Sequence, residues 1–175
     1  MTETTYDFQD VRVMVVDDNR SMRHIVRSIL SALGCRDIRE AGDAPAAFKE
    51  MQNFDADVII VDWYMEPLDG LEFVRLVRTA KDSLNPFVPI IMLSGFTEYR
   101  RIAEARDAGV NEFLAKPVSA TGIGNRIVSL IEHPREFIRS KSYFGPCRRR
   151  TVLGPPRGQK ERRQENLSAS STADL

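Results

Sequence analysis

Two hydrophobic rhythms alternate along the chain. Residues 11–16 (VRVMVV) are a short apolar run rich in β-branched side chains, and the run stops at Asp17 and Asp18. Met22, Ile25, Val26, Ile29, Leu30 and Leu33 then recur at helical spacing, one face of a helix that Gly34 closes. Residues 37–41 form a weaker strand candidate, and Ala44, Ala47, Phe48 and Met51 mark a second helix. The run DVIIV (57–61) predicts a strand ending on Asp62, and Leu71, Val74 and Val77 a helix after Gly70. PIIML (89–93) predicts a strand ending on Ser94, and residues 98–108 a helix stopped by Gly109. A short strand over 112–115 ends on Lys116 and Pro117. The last helix, 119–132, carries Gly122 and Gly124, each costing about 1 kcal/mol relative to alanine in a helix interior.

Five strand–helix alternations imply a parallel sheet with helices on both faces. The runs VMVV and VIIV lack polar alternation, as strands buried on both sides do. Right-handed crossovers then leave a doubly wound five-stranded parallel α/β sheet as the expected fold. The 175 residues, at roughly 150 per domain, allow one domain and an extension. The expected boundaries are 10–132 for the α/β domain and 133–175 for the extension. The extension holds 12 Gly, Pro or Ser residues and no sustained periodicity. Order is expected there at most over 137–144, with flexibility beyond Pro155.

Charge sharpens this division. The formal net charge is zero, yet residues 1–132 carry 15 basic and 21 acidic side chains, net −6, while 133–175 carry 10 and 4, net +6. An acidic body is joined to a basic tail. Apolar runs stay far below the ~18–20 residues of a spanning helix. The polar start and two distant cysteines, Cys35 and Cys147, fit a cytoplasmic protein without a disulfide framework.

In an open α/β sheet, ligands bind outside the carboxyl ends of the strands. Here those ends carry Asp17 and Asp18, Asp62, Ser94 and Lys116. Three adjacent carboxylates repel one another and need a neutralising partner. A hard cation such as Mg²⁺, which takes a few carboxylates and phosphate oxygens, supplies it. Lys116 adds a compact positive charge and Ser94 a hydroxyl. Together they describe a phosphoryl site in which one carboxylate can act as nucleophile and form an acyl phosphate. The plainer readings are a helix cap for Asp17 or Asp18, a loop acid for Asp62, a surface charge for Lys116 and a turn residue for Ser94.

This set resembles the receiver domain of bacterial two-component response regulators, the chemotaxis-regulator-like (flavodoxin-like) fold. The matching residues are Asp17–Asp18 after VMVV, Asp62 in VIIVDWYMEPLDG, Ser94–Gly95 after PIIML, and Lys116–Pro117 after EFLA. The resemblance implies that Asp62 accepts a phosphoryl group from a sensor histidine kinase or histidine phosphotransfer protein. It implies that Asp17, Asp18, Asp62 and the backbone carbonyl of Tyr64 hold Mg²⁺, and that Lys116 pairs with the phosphate. Ser94 and Phe113 would move together as the switch, and the Lys116–Pro117 bond would be cis. Phe113 stands where many relatives have Tyr, and Glu66 is inserted where many have Met-Pro. Tyr64 occupies the position that tunes hydrolysis of the acyl phosphate.

The implied protein is a single-domain response regulator that catalyses only its own phosphorylation and dephosphorylation. It would act as a monomer or a phosphorylation-dependent dimer on a downstream protein target. In the tail, Arg148, Arg149 and Arg150 form a candidate anion-binding set near Phe137, Tyr143 and Phe144. Some receivers with arginine-rich extensions bind cyclic di-GMP and act on motility, which is the alternative reading. Residues 133–175 are too few and too irregular for a helix-turn-helix, so no DNA-binding domain is expected. An aspartyl-nucleophile phosphotransferase or phosphatase is the enzymatic rival, and it would want a second acid/base carboxylate and a substrate-covering cap.

Overall fold

A computed structural model describes residues 6–95, 99–140 and 142–148. Strands and helices alternate as β1 (Val13–Val16), α1 (Arg20–Ala32), β2 (Ile38–Ala41), α2 (Ala44–Met51), β3 (Val58–Asp62) and α3 (Gly70–Thr79). They continue with β4 (Ile90–Ser94), α4 (Tyr99–Ala108), β5 (Glu112–Ala115) and α5 (Ala120–Glu132). A two-stranded antiparallel hairpin follows, β6 (Phe137–Arg139) and β7 (Phe144–Pro146). The main sheet is parallel in the order β2-β1-β3-β4-β5, the doubly wound topology expected.

Alternate residues of each central strand feed two separate cores. Met14, Val16, Ile59, Val61, Ile90 and Met92 pack with Phe73, Val74 and Val77 of α3 and Ala105 of α4. Val13, Val15, Val58, Ile60, Ile91 and Leu93 pack with Val26 and Leu30 of α1 and Ile123 and Ile127 of α5. Both faces are therefore covered, which accounts for the absence of polar alternation in the runs. Each such aliphatic side chain contributes roughly 1.5–3 kcal/mol by leaving water.

Helix starts follow local chemistry. The Asn19 side chain accepts from the backbone N–H groups of Ser21 and Met22 and caps α1. Asp17 and Asp18 are thus not needed as caps. Asp69 and Glu72 form a reciprocal capping box at α3. Gly109 ends α4 with a φ of +104°, a backbone conformation that side chains disfavour.

Two departures from the expectation have physical reasons. Phe8, ahead of residue 10, is buried in the α1/α5 core, since an aromatic ring gains more by covering that core than by solvation. The segment after Pro134 forms the hairpin, because Phe137 and Phe144 find an aromatic partner in Phe87 at 5.2 Å each. The span beyond Pro155 lies outside the described residues.

Candidate functional site

Parallel register brings the strand ends together. Val16 is level with Val61, Asp62 with Leu93, and Ser94 with Ala115. One step beyond, the Trp63 N–H donates to Leu93 O at 2.9 Å and the Lys116 N–H to Ser94 O at 2.8 Å. Asp17, Asp62, Ser94 and Lys116 therefore line one rim as a consequence of pairing, with no loop excursion needed.

Lys116 Nζ lies 2.7 Å from Asp62 Oδ1 and 3.7 Å from Asp17 Oδ2. One carboxylate oxygen from each of Asp17, Asp18 and Asp62 lies within 4.8 Å of the others. Asp17 and Asp62 are buried while Asp18 faces solvent. Asp17 Oδ1 accepts the Asn19 N–H at 2.8 Å, whereas buried Asp17 Oδ2 accepts no hydrogen bond. Burial raises the Asp17 pKa above the ordinary carboxylate value, and the nearby charges of Asp62 and Asp18 raise it further. The Asn19 N–H and Lys116 oppose them without prevailing.

Among the described residues, three carboxylates face the ammonium of Lys116, an excess of two negative charges. Like charges about 4 Å apart repel by about 4 kcal/mol each at an effective dielectric of 20. A divalent cation fits this donor set: all-oxygen, anionic and spaced for shared coordination, with one buried oxygen left without a donor. Asp17, Asp18 and Asp62 are the residues that could hold it.

Neighbouring residues shape the rim. The Asp18 carboxylate accepts the Glu66 N–H at 3.3 Å, tying the loop after Asp62 back to the acidic pair. Arg23 Nη1 donates to Asp17 O at 2.6 Å. Trp63 is buried, and its ring meets Phe113 edge-on at 6.4 Å between centres. Phe113 is partly buried against the α3/α4 core, and the Arg101 guanidinium lies 5.6 Å above Trp63. Tyr64, two residues past Asp62, is half exposed. Ser94 is buried at the end of β4. The Lys116–Pro117 bond is cis, and so is Glu66–Pro67.

Gly70 is a site residue that periodicity did not single out. A Cβ there would stand 2.2 Å from Asp62 O, and the Gly70 N–H donates to Trp63 O at 2.8 Å. The start of α3 thus presses directly on the backbone of the candidate acceptor. Its signal in the sequence was a glycine immediately after the capping Asp69.

Arg148, the described member of the tail arginine set, makes its contacts away from this rim. Arg148 pairs with Asp107 of α4 at 3.4 Å and lies 4.0 Å over the Tyr143 ring, while Arg149 and Arg150 fall outside the described residues.

A family profile described as "Response regulator receiver domain" matches residues 13–128. The chain belongs to the response regulator receiver family. Among curated relatives, chemotaxis protein CheY1 of Helicobacter pylori is 37% identical over 108 residues, 61% of this chain and 86% of that protein. Chemotaxis protein CheY of Pseudomonas aeruginosa is 30% identical over 122 residues, 70% and 97% of the two chains. Among solved structures, the chemotaxis response regulator CheY4 of Vibrio cholerae superposes with a TM-score of 0.62 at 30% identity, covering 69% of this chain and 98% of its own. This is accordingly a chemotaxis-regulator-like receiver domain of two-component, phosphorelay signalling. A kinase or phosphotransfer protein is the partner a receiver domain implies, and receivers typically bind Mg²⁺ at such an acidic pocket. Receiver domains are not enzymes in the usual sense of acting on a separate substrate. No described helix is long and apolar enough to cross a membrane.

Proposed function

We propose that Asp62 accepts a phosphoryl group from a phosphohistidine of a sensor kinase or histidine phosphotransfer protein, and that the acyl phosphate switches partner binding. The observation that carries this is Lys116 Nζ held 2.7 Å from Asp62 Oδ1 beside two further carboxylates. An Asp62 oxygen attacks phosphorus, the histidine N–P bond breaks, and the histidine nitrogen keeps the electron pair and takes a proton. Asp17, Asp18, Asp62 and the Tyr64 carbonyl would hold Mg²⁺, which would supply neutralisation of the charge on the carboxylates and the transferring group. Lys116 turns from Asp62 to a phosphoryl oxygen, and the buried Ser94 hydroxyl supplies a second donor. Phe113 follows Ser94, so charge at Asp62 is read on the surface of α4, β5 and α5.

Incubation with acetyl phosphate and Mg²⁺ tests the assignment by intact mass. The wild-type chain gains one phosphoryl group, and Asp62→Asn gains none. Labelling of Asp62→Asn at the wild-type rate would remove Asp62 as the acceptor. Sustained turnover of a generic phosphate ester would favour the aspartyl-nucleophile enzyme instead.

A further inference from the structure

The hairpin lies beyond the 13–128 span of the family profile, yet it is built into the receiver. Its seat is Arg78 of α3, a residue only 3% exposed. Arg78 Nη1 donates to Pro86 O and Val88 O at 2.8 Å, Nε to Gly109 O at 3.1 Å, and Nη2 to Asn111 Oδ1 at 2.9 Å. The Phe137 ring covers that guanidinium at 5.1 Å. The Cys147 N–H closes the hairpin base on Glu136 O at 2.7 Å, and Arg148 reaches Asp107 of α4.

Seated this way, the hairpin delivers Arg135 to β5. Arg135 Nη2 lies 3.6 Å from Glu112 Oε1, and Arg126 Nε of α5 lies 3.7 Å from Glu112 Oε2. Both side chains of the Arg135–Glu112 pair are largely buried, 14% and 6% exposed. Arg126 Nε also donates to Phe113 O at 3.0 Å. Among the described residues β5 is an edge strand paired only with β4, and its carbonyl at Phe113 is held by the Arg126 side chain. The chain of contacts runs from the tail through Arg135, Glu112 and Arg126 to the backbone of Phe113.

We propose that Arg135 is a positioning residue for the Phe113 switch: the C-terminal hairpin clamps the edge strand that carries Phe113, and so sets the free energy of the phosphoryl-driven rearrangement. This rests on the assignment of Asp62 as acceptor and Phe113 as its reporter. The clamp acts through geometry and charge together, since a buried carboxylate deprived of one of its cations relaxes toward what still holds it, here Arg126. Arg126 then shifts on Glu112, and its hold on Phe113 O shifts with it.

Trp63 supplies the readout, because it is the single tryptophan and its ring touches Phe113. The full-length chain with Mg²⁺ is titrated with beryllofluoride while Trp63 fluorescence is followed. Arg135→Gln is expected to displace the midpoint by at least about threefold, the scale of coupling carried by one contact network. Arg135→Lys, which keeps the cation at Glu112, restores most of the wild-type midpoint. Arg139→Gln, in the same hairpin but over Phe144, leaves it unchanged. A wild-type response that Arg135→Gln reproduces at the same midpoint, or that Arg139→Gln displaces equally, overturns the clamp while leaving the acceptor in place. A response that persists in Asp62→Asn overturns the acceptor assignment, and the clamp with it.

Discussion

Strands β4 and β5 carry a buried charged cluster at each end, and the two clusters are satisfied to different degrees. At the amino end, Arg78 gives hydrogen bonds to three carbonyls and the Asn111 side chain. Burial pulls its pKa down to about 9, opposed by Tyr143, so it stays charged at neutral pH. Glu112 beside it has an arginine on each carboxylate oxygen. At the carboxyl end, among the described residues, three carboxylates share Lys116, and Asp17 Oδ2 accepts no hydrogen bond. A saturated polar cluster fixes structure, because moving any member strands another. An undersaturated one keeps free energy available for a cation and a phosphoryl group, which is the usual condition of reactive sites.

Substitutions at the two ends should therefore fail differently. Arg78→Leu keeps an apolar stem but removes the guanidinium and strands three carbonyls, a loss of roughly 3 kcal/mol or more. A guanidinium chloride melt should show it, with the hairpin released first and the tail cut early by protease. Stability within error of wild type would mean that the carbonyls find other donors. Gly70→Ala acts at the other end through packing, since the new Cβ meets Asp62 O, a backbone atom that cannot swing away. The cost is on the order of 1–3 kcal/mol, and it should be accompanied by slower labelling from acetyl phosphate, because the backbone of the acceptor must shift. Unchanged labelling in a destabilised Gly70→Ala would show that α3 can yield without moving Asp62.

The same contrast decides what could be read from the chain. The rim was legible because it is made by strand ends: an apolar run that stops on a charged residue states both the strand and its functional end. Asp17, Asp62, Ser94 and Lys116 needed only parallel register to meet. The opposite end was not legible, because Arg78, Asn111–Glu112 and Arg135 come from three unrelated stretches of the chain and look like ordinary surface polarity. Arg78 sits in the last turn of α3, where a basic residue is expected to face solvent. Only the fold shows it folded inward under Phe137. The hairpin was missed for a related reason: three-residue strands carry too little alternation to register, and their stability comes from Phe87, far upstream.

Asp17→Asn should have the smallest effect and the one most specific to an undersaturated rim. Burial holds the folded Asp17 carboxyl above its unfolded value of 3.8, so ionising it costs the folded chain more than the unfolded one. That cost is fully present above the raised pKa and disappears as pH falls below 3.8, where both states are protonated. Without metal at pH 7, Asp17→Asn is therefore expected to melt about 3 °C higher than wild type, the response of a chain this size to about 1 kcal/mol. The difference should shrink on acidification. Millimolar Mg²⁺ should raise the wild-type Tm and leave the variant nearly unmoved, reversing their order, since the cation removes the repulsion that the amide had already removed. A variant that melts lower at pH 7 without metal, by a margin that acid does not change, would place Asp17 among the saturated structural polar groups and not with the reactive rim.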